Sequence, residues 1–534
     1  MAFYLVLCSL LAGVAFLFVK KVGSRETDLP PGPPTLPFIG NLHVFPREAP
    51  HHQFTEWAKQ YGGIYSLKIG PGTAIVLSDP NIVKVLLEKR SATTSDRPSI
   101  YIVKLVTRGL HMGLNRYGET WKAMRRAAHA ILTPQAATRQ LPIQQAEAVQ
   151  LLYDFLNTPE SFHRHLGRYT NSAIMSVLFG KRSPRYETRE TSEFFRMMHD
   201  WAALLEPGAT PPFDLIPILK LIPQRWSAWK RAASRIRVMQ RALYFGYLED
   251  TEKRVENGEE NGSYMEEVLA RREEFGLDRE MTAYVGGVLV EGASETTWSY
   301  LNSFILTLVA FPEAQKKAHE EIDRVVGQDR LATLADFEQL PYIRALLFEV
   351  HRFRPVAPLL VPHVTTINQR IENYIIPKGS TIFVNAWGIL HDPELFDDPE
   401  SFQPERYLIT ENGTKPGIDA SSLKTTLTFG VGRRSCPGIH LAQTSMSIVA
   451  MNLLWAFDFK PALDAQGNEI AVDLFAYSKG VTMAPLPFEC RITPRTGDKA
   501  EIIRREFLDA TDVFEKFEFG LSADDKAFVE RFTR

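Results

Sequence analysis

The stretch FGVGRRSCPG at residues 429–438 decides how this sequence is interpreted, because it predicts a tight loop that leads into a helix. Gly430 and Gly432 permit turns and the close approach of another backbone segment. Pro437 suits a first helical turn, where the N–H that proline lacks would have had no partner. An apolar run then continues the helix, so Cys436 is expected just before the helix N-terminus.

The chain has three cysteines, Cys8, Cys436 and Cys490. This sparse, odd set argues against a disulfide framework and against a cysteine-based zinc cluster. We expect the helix dipole and the guanidinium groups of Arg433 and Arg434 to lower the pKa of the Cys436 thiol and favour the thiolate. A thiolate needs an electrophile or a metal. Because no nearby histidine, asparagine or aspartate indicates a cysteine hydrolase, the residues favour a soft metal centre.

Five residues of this stretch reproduce the F-x-x-G-x-R-x-C-x-G signature of the cytochromes P-450, which the segment therefore resembles. They are Phe429, Gly432, Arg434, Cys436 and Gly438. The resemblance implies that the segment binds haem b, with Cys436 as the axial iron ligand, Arg434 at a propionate and Phe429 shielding the sulfur. Thiolate ligation pushes electron density onto the iron and favours O–O cleavage. The fold implied is mainly α with a small β region.

A second stretch predicts a long helix through the protein core. Asp278 suits its N-cap and Pro312 follows its end, while GGVLVEGASETTW at 286–298 is apolar on nearly every face. Three glycines would weaken the helix locally and open a groove for a small ligand. They are Gly286, Gly287 and Gly292.

Within this helix, residues 292–296 resemble the family's A/G-G-x-D/E-T oxygen-binding motif. The resemblance assigns Glu295 and Thr296 to proton delivery during oxygen activation. Ala293 stands where the family usually has glycine, and its methyl group would narrow the groove or shift the local geometry. The alternative for Glu295 and Thr296 is a buried structural ion pair beside a threonine bonded to its own helix. For Glu291, which belongs to no motif, the structural interpretation is favoured.

Two further segments complete the resemblance at the centre of the chain. Glu349 and Arg352 are three residues apart, so a pair within one helix is available, although E-x-x-R alone usually indicates a surface ion pair. Arg406 in FQPERY lies fifty-odd residues further on. By resemblance, Glu349, Arg352 and Arg406 form a structural triad that stabilises the core behind the haem.

Three residues are expected at the haem propionates by resemblance. Trp121 and Arg125 match the family's W-x-x-x-R helix, and one helical turn places them on the same side. The alternative is a core tryptophan next to a surface arginine. His363 resembles a third propionate contact, with a satisfied core histidine as its alternative.

The N-terminal segment is predicted to be a membrane anchor. Residues 2–19 form an uncharged run just long enough to span a bilayer. Lys20, Lys21 and Arg25 follow this run, whereas a cleavable signal peptide, the alternative, carries its positive charge before the apolar core. The positive-inside tendency then predicts a single-pass protein of the endoplasmic reticulum membrane, with its catalytic domain facing the cytosol.

Four segments are expected along the chain. They are an anchor at 1–21, a basic and proline-rich hinge at 22–40, a haem-thiolate monooxygenase domain at 41–495 and a charged C-terminal tail at 496–534. The prolines make the hinge stiff. The tail has no match in the resemblance and is interpreted as an appended surface helix or partly ordered segment.

The resemblance implies a haem-thiolate monooxygenase that inserts one oxygen atom of O2 into a lipophilic small molecule, in one step or several. Electrons would come from NADPH through a separate NADPH–cytochrome P-450 reductase. Four basic residues are candidates for its docking face, with an ordinary solvated surface as the alternative. They are Lys122, Arg126, Lys424 and Arg433. A formal net charge of −2 gives no general attraction to nucleic acid.

The substrate is constrained only to a class. Residues 99–115 and 204–221 resemble substrate-recognition regions, and their apolar content suits a lipophilic molecule. HMGLNRYGETW at 111–121 is similar to microsomal members from filamentous fungi that act in secondary-metabolite biosynthesis. Two other functions stay open, namely isomerisation, dehydration or desaturation without net oxygen insertion, and a non-enzymatic haem sensor. The Glu295–Thr296 pair favours oxygenation over both.

Overall fold

The computed structural model describes residues 22–206, 208–213 and 216–531. The predicted membrane anchor at 1–21 lies outside the described residues. Within those ranges, no helix is both long enough and apolar enough to cross a membrane.

Most of the described chain is α-helical, as expected from the sequence. The helices are α1 Pro50–Tyr61, α2 Pro80–Val83, α3 Ser91–Thr94, α4 Tyr101–Thr107, α5 Glu119–Ile131, α6 Pro134–Arg139, α7 Leu141–Asn157, α8 Phe162–Phe179, α9 Arg189–Leu205, α10 Ala228–Asn257, α11 Tyr264–Ala270, α12 Arg272–Phe275, α13 Arg279–Ala310, α14 Pro312–Val325, α15 Pro341–Phe353, α16 Ala386–Leu390, α17 Arg406–Ile409, α18 Ile439–Ala456, α19 Gly497–Phe514 and α20 Ala523–Val529.

Three small sheets accompany the helices. The strands are β1 Ile64–Ile69, β2 Gly72–Leu77, β3 His363–Val364, β4 Gln369–Ile371, β5 Tyr374–Ile376, β6 Thr381–Val384, β7 Phe457–Pro461 and β8 Cys490–Pro494. The largest sheet has the order β1-β2-β6-β3, in which β2 and β6 are parallel; β4 pairs with β5 and β7 with β8. The short strand-like runs at 64–69 and 74–77 predict two early strands, which the structure confirms as β1 and β2.

The long helix predicted from the sequence is confirmed as α13. Its N-cap is Asp278, whose side chain accepts a hydrogen bond of 2.7 Å from the N–H of Met281. It ends at Ala310, and Pro312 begins α14. Because most of its residues are buried on every side, α13 forms the axis of the helical core.

The glycines of α13 have two different roles. A Cβ atom at Gly286 would collide with the ring of Phe179, and one at Gly287 would collide with the ring of Tyr244. These two glycines therefore allow α8 and α10 to pack closely on α13, and the expectation that they open a groove is wrong. Only Gly292 among the three faces open space, with nothing within 4 Å of an added Cβ.

Residues 496–531 are attached to the body of the protein through α19. The ring of Phe507 stacks on Tyr153 of α7 with centroids 4.1 Å apart. The guanidinium of Arg182 lies 3.5 Å from the centroid of Phe514 and pairs with Glu518 at 2.7 Å. This segment thus has an apolar inner face, and the boundary at 495/496 stays a prediction.

Candidate functional site

The loop around Cys436 leads into a helix as its sequence predicts, except that Pro437 precedes the N-cap and so lies outside the first helical turn. The Cys436 N–H donates a 2.7 Å hydrogen bond to the Phe429 carbonyl and closes the turn. Gly432 adopts a positive φ of 62°, and any side chain there would collide with the Leu87 carbonyl oxygen. Gly438 is the N-cap of α18, so Cys436 stands just before that helix. The close approach that Gly432 permits is to the backbone at Leu87.

The electrostatic surroundings of Cys436 differ from the expectation. Burial raises the pKa of its thiol, and this effect exceeds the lowering by the Gly438 N–H and the Arg125 guanidinium. The expectation that Arg433 and Arg434 lower this pKa is wrong, because the arginine whose charge lowers it is Arg125. A buried thiol of this kind becomes a thiolate when it coordinates a metal cation.

Next to the loop, three predicted cofactor-binding residues come together. The Arg434 Nε donates to the Ser95 carbonyl at 2.8 Å, and its guanidinium carbon lies 4.0 Å from the Trp121 ring centroid. Arg125, one turn after Trp121 on α5, donates to the Ser435 carbonyl beside Cys436. The α5 helix is therefore connected directly to the cysteine loop.

Arg97 and His363 extend this basic cluster. Arg97 is buried and donates to the Val361 carbonyl at 2.6 Å and the Pro362 carbonyl at 2.8 Å. His363, on β3, donates from Nδ1 to the Thr94 carbonyl at 2.9 Å. Burial, and then the charge of Arg97, lowers the pKa of His363 to about 3. Arg97 belongs to no sequence motif, and its burial, which sets it apart from an ordinary loop arginine, is known from the structure.

The cluster fits a dianionic group such as the two propionates of haem. Burial lowers the pKa of Arg97 to about 9 and that of Arg434 to about 10; the charge of Asp96 opposes both shifts and repulsion among the arginines adds to them. Within the part of the chain that the structure describes, Arg97, Arg125 and Arg434 pair with no carboxylate at ion-pair distance. Buried charges normally require an opposite charge, and two carboxylates of a bound cofactor would provide it.

The motif residues of α13 interrupt an otherwise buried helix. From Thr282 to Val309, the residues that are not buried are Gly292, Ala293, Glu295, Thr296 and Trp298. The Thr296 hydroxyl donates to the Gly292 carbonyl at 2.6 Å, so the threonine is bonded to its own helix, as its alternative interpretation expects. That bond leaves the hydroxyl oxygen able to accept a hydrogen bond from a neighbour.

Glu295 is an acid whose pKa is close to neutrality. Its Oε1 accepts a 3.0 Å hydrogen bond from the Thr482 hydroxyl. Burial raises the pKa of Glu295 to about 7; the Thr482 hydroxyl opposes this shift and the charge of Glu291 adds to it. A carboxyl with such a pKa can both give and take protons at physiological pH. The sequence contained no signal for Thr482, which lies 187 residues from Glu295.

The predicted structural triad is assembled in the buried core. Arg352 donates from Nε and Nη2 to the two oxygens of Glu349 at 2.7 and 2.8 Å. Arg406 donates from Nε to Glu349 Oε1 at 3.2 Å. The remaining donors of both arginines bond backbone carbonyls. Phe429 packs nearby, edge-on to His351 at a centroid distance of 5.3 Å.

Comparison with known proteins agrees with this site. A family model described as cytochrome P-450 matches residues 30–489. A cytochrome P-450 monooxygenase of Armillaria gallica is 44% identical over 516 residues, covering 96% of this chain and 98% of that protein. One of Arthrobotrys oligospora is 40% identical over 526 residues, covering 96% and 98%.

A solved structure of a cytochrome P-450 has a similar fold. A zebra fish cytochrome P-450 solved with progesterone is 25% identical, with a TM-score of 0.71 over 83% of this chain and 99% of that chain. The small sheets, the core helix α13 and the cysteine loop are therefore parts of a known architecture. This chain belongs to the cytochrome P-450 family of haem-thiolate monooxygenases.

Proposed function

We propose that Cys436 would hold the haem iron through its sulfur and that Glu295 and Thr296 would supply protons to the reaction. The observation that carries this proposal is the interruption of the buried helix α13 at its motif, where Gly292 faces open space and Glu295, a carboxyl with a pKa of about 7, is followed by Thr296. Haem, when bound, supplies the transfer of one oxygen atom from O2 to a substrate carbon.

The chain's own residues handle the protons. Glu295 is held by Thr482 and exchanges protons at neutral pH. Thr296, the next residue, has a hydroxyl that donates to the Gly292 carbonyl and whose oxygen can accept from a solvent molecule. A positioned acid that delivers protons through a hydroxyl acts as a general acid catalyst.

Five residues would hold the haem propionates. They are Arg97, Trp121, Arg125, His363 and Arg434. The buried positive charge of the three arginines supports this assignment. Arg125 has a further role, because its bond to the Ser435 carbonyl ties the propionate end to the cysteine loop.

Electrons would come from NADPH through a separate NADPH–cytochrome P-450 reductase. The proposed docking residues are only partly available: Lys122 pairs with Glu119 at 2.8 Å and Lys424 with Glu88 at 2.8 Å. Exposed ion pairs of this kind are weak, worth about 0–1 kcal/mol, so a partner's carboxylates can replace them. Arg433, which lies in the cysteine loop, is another of the proposed docking residues.

Membrane attachment at the endoplasmic reticulum, through a single helix within 1–21, is likewise a proposal. Apolar side chains of the described chain support it. Ile218, Leu221 and Trp226 are 70%, 78% and 70% exposed, and they lie in one segment between α9 and α10. An exposed apolar patch on a protein often marks a membrane or protein contact.

The iron ligand is tested by the carbon monoxide spectrum of the reduced protein. Wild type should show the strongly red-shifted Soret band of thiolate ligation, and Cys436→Ala should lose it. Cys490→Ala, which changes the other cysteine of the described chain, is the matched control and should keep the band. A red-shifted band in Cys436→Ala would refute the ligand assignment.

A further inference from the structure

His129 lies on α5 one helical turn after Arg125, and the two side chains are bonded to each other. The Arg125 Nε donates a 2.8 Å hydrogen bond to the His129 Nε2. Nε2 can accept this bond only when the imidazole is neutral and carries its proton on Nδ1. Partial burial, and then the charge of Arg125, lower the pKa of His129 below its usual value of 6.5, which favours the neutral ring at physiological pH.

Arg125 is held differently from the other two arginines of the basic cluster. Arg97 and Arg434 are each fixed by hydrogen bonds to three main-chain carbonyls. Arg125 has one main-chain carbonyl, that of Ser435, and within the described ranges its remaining acceptor is the side chain of His129. The orientation of the Arg125 guanidinium therefore depends on a single side chain, which the other two arginines do not need.

The two bonds of Arg125 determine how its third nitrogen is presented. Because a guanidinium is planar, hydrogen bonds at Nε and Nη2 together fix its plane. Its Nη1 has no hydrogen-bond partner in the part of the chain that the structure describes, so this atom is available to an anionic group. Arg125 is also the arginine whose charge lowers the pKa of Cys436. Without the bond at Nε, the guanidinium could turn about its bond to the Ser435 carbonyl and would hold an anion less well.

We propose that His129 is a positioning residue for haem binding, which holds the Arg125 guanidinium so that Nη2 bonds the Ser435 carbonyl and Nη1 is presented to a propionate. The inference rests on the proposed role of Arg125 at the haem. His129 acts through Arg125 and needs no contact of its own with the cofactor. Any uncharged acceptor of the same reach should therefore replace it. The Oε1 atom of glutamine is as many bonds from Cα as the Nε2 atom of histidine, whereas leucine has no acceptor.

The test measures the rate at which the haem-loaded full chain releases haem to an excess of apomyoglobin, which requires no turnover. His129→Leu should release haem about threefold to tenfold faster than wild type, as expected for the loss of one hydrogen bond near the surface. His129→Gln should release haem at close to the wild-type rate. His199→Leu, which changes an exposed histidine of α9, is the matched control and should also keep the wild-type rate.

A double-mutant cycle separates this role from a general effect on α5. If His129 acts through Arg125, the double variant carrying Arg125→Leu and His129→Leu should release haem no faster than Arg125→Leu alone. The inference is refuted if the two effects multiply, if His129→Gln accelerates release as much as His129→Leu, or if His129→Leu releases haem at the wild-type rate. Wild-type release from Arg125→Leu would instead refute the proposed role of Arg125. If Arg125→Leu takes up no haem, the comparison of His129→Leu with His129→Gln decides the inference by itself.

Discussion

Replacing Thr482 by valine should shift the pH at which proton delivery fails. The hydroxyl of Thr482 donates to Glu295 at 3.0 Å and stabilises the ionised form of this half-buried carboxylate. Valine has almost the same shape and no donor, so the change isolates this single hydrogen bond. Without it, the charged form of Glu295 becomes less favourable and the pKa rises.

The size of the shift follows from ordinary values. A hydrogen bond to a charged group contributes about 1.5–3 kcal/mol, which corresponds to about 1–2 pKa units. The pKa of Glu295 should therefore rise from about 7 to between about 8 and 9. Because an acid donates protons below its pKa, wild type should lose proton supply as the pH rises through about 7, and Thr482→Val should keep it to higher pH.

The assay measures the fraction of NADPH electrons released as hydrogen peroxide, in the presence of reductase, as a function of pH. Peroxide should increase with pH in both proteins, with the midpoint in Thr482→Val displaced upwards by about 1–2 units. Thr482→Ser keeps the hydroxyl and controls for effects of pH on the reductase. If the valine and serine variants had the same midpoint, Glu295 would not be the group that sets the pH dependence.

Three further changes have defined outcomes. Thr296→Ala should divert NADPH electrons to peroxide, because the hydroxyl proposed to deliver protons is lost, whereas Thr307→Ala on the same helix should not. Full coupling in Thr296→Ala would place the relay elsewhere. Glu349→Gln should lower the free energy of unfolding by about 3–5 kcal/mol, since it leaves two buried arginines without their carboxylate. A urea titration measures this quantity, and a change below about 1 kcal/mol would contradict the structural role of the triad. Phe507→Ala should lower the free energy of unfolding by about 3–5 kcal/mol in the same titration, whereas the change at the exposed Phe475, Phe475→Ala, should lower it little. Equally small effects of both changes would mean that α19 is not part of the stable core.

Local signals in the sequence predicted the parts of this structure that depend on neighbouring residues. Asp278 and Pro312 delimit α13 because a cap and a missing N–H act within one turn of a helix. The loop at 429–438 needs glycine at position 432, because the backbone there has a positive φ and a side chain would collide with the Leu87 carbonyl oxygen. The triad and the basic cluster were expected only through resemblance to a family, and the structure brings their members into contact or close proximity.

The same sequence left open every property that depends on burial or on distant partners. The pKa of Cys436 was expected to be lowered by its neighbours, yet burial raises it. Arg97 and Thr482 carry no motif, and they acquire their roles because folding brings them to residues more than a hundred positions away. The sequence by itself therefore determined the core helix and the class of chemistry, and it predicts Cys436 as the iron ligand. Only the tertiary structure decided the pKa of Glu295 and the hydrogen-bond network of Glu291 with His111 and Gln240. Desolvation and hydrogen bonds between distant residues exist only once the chain is packed.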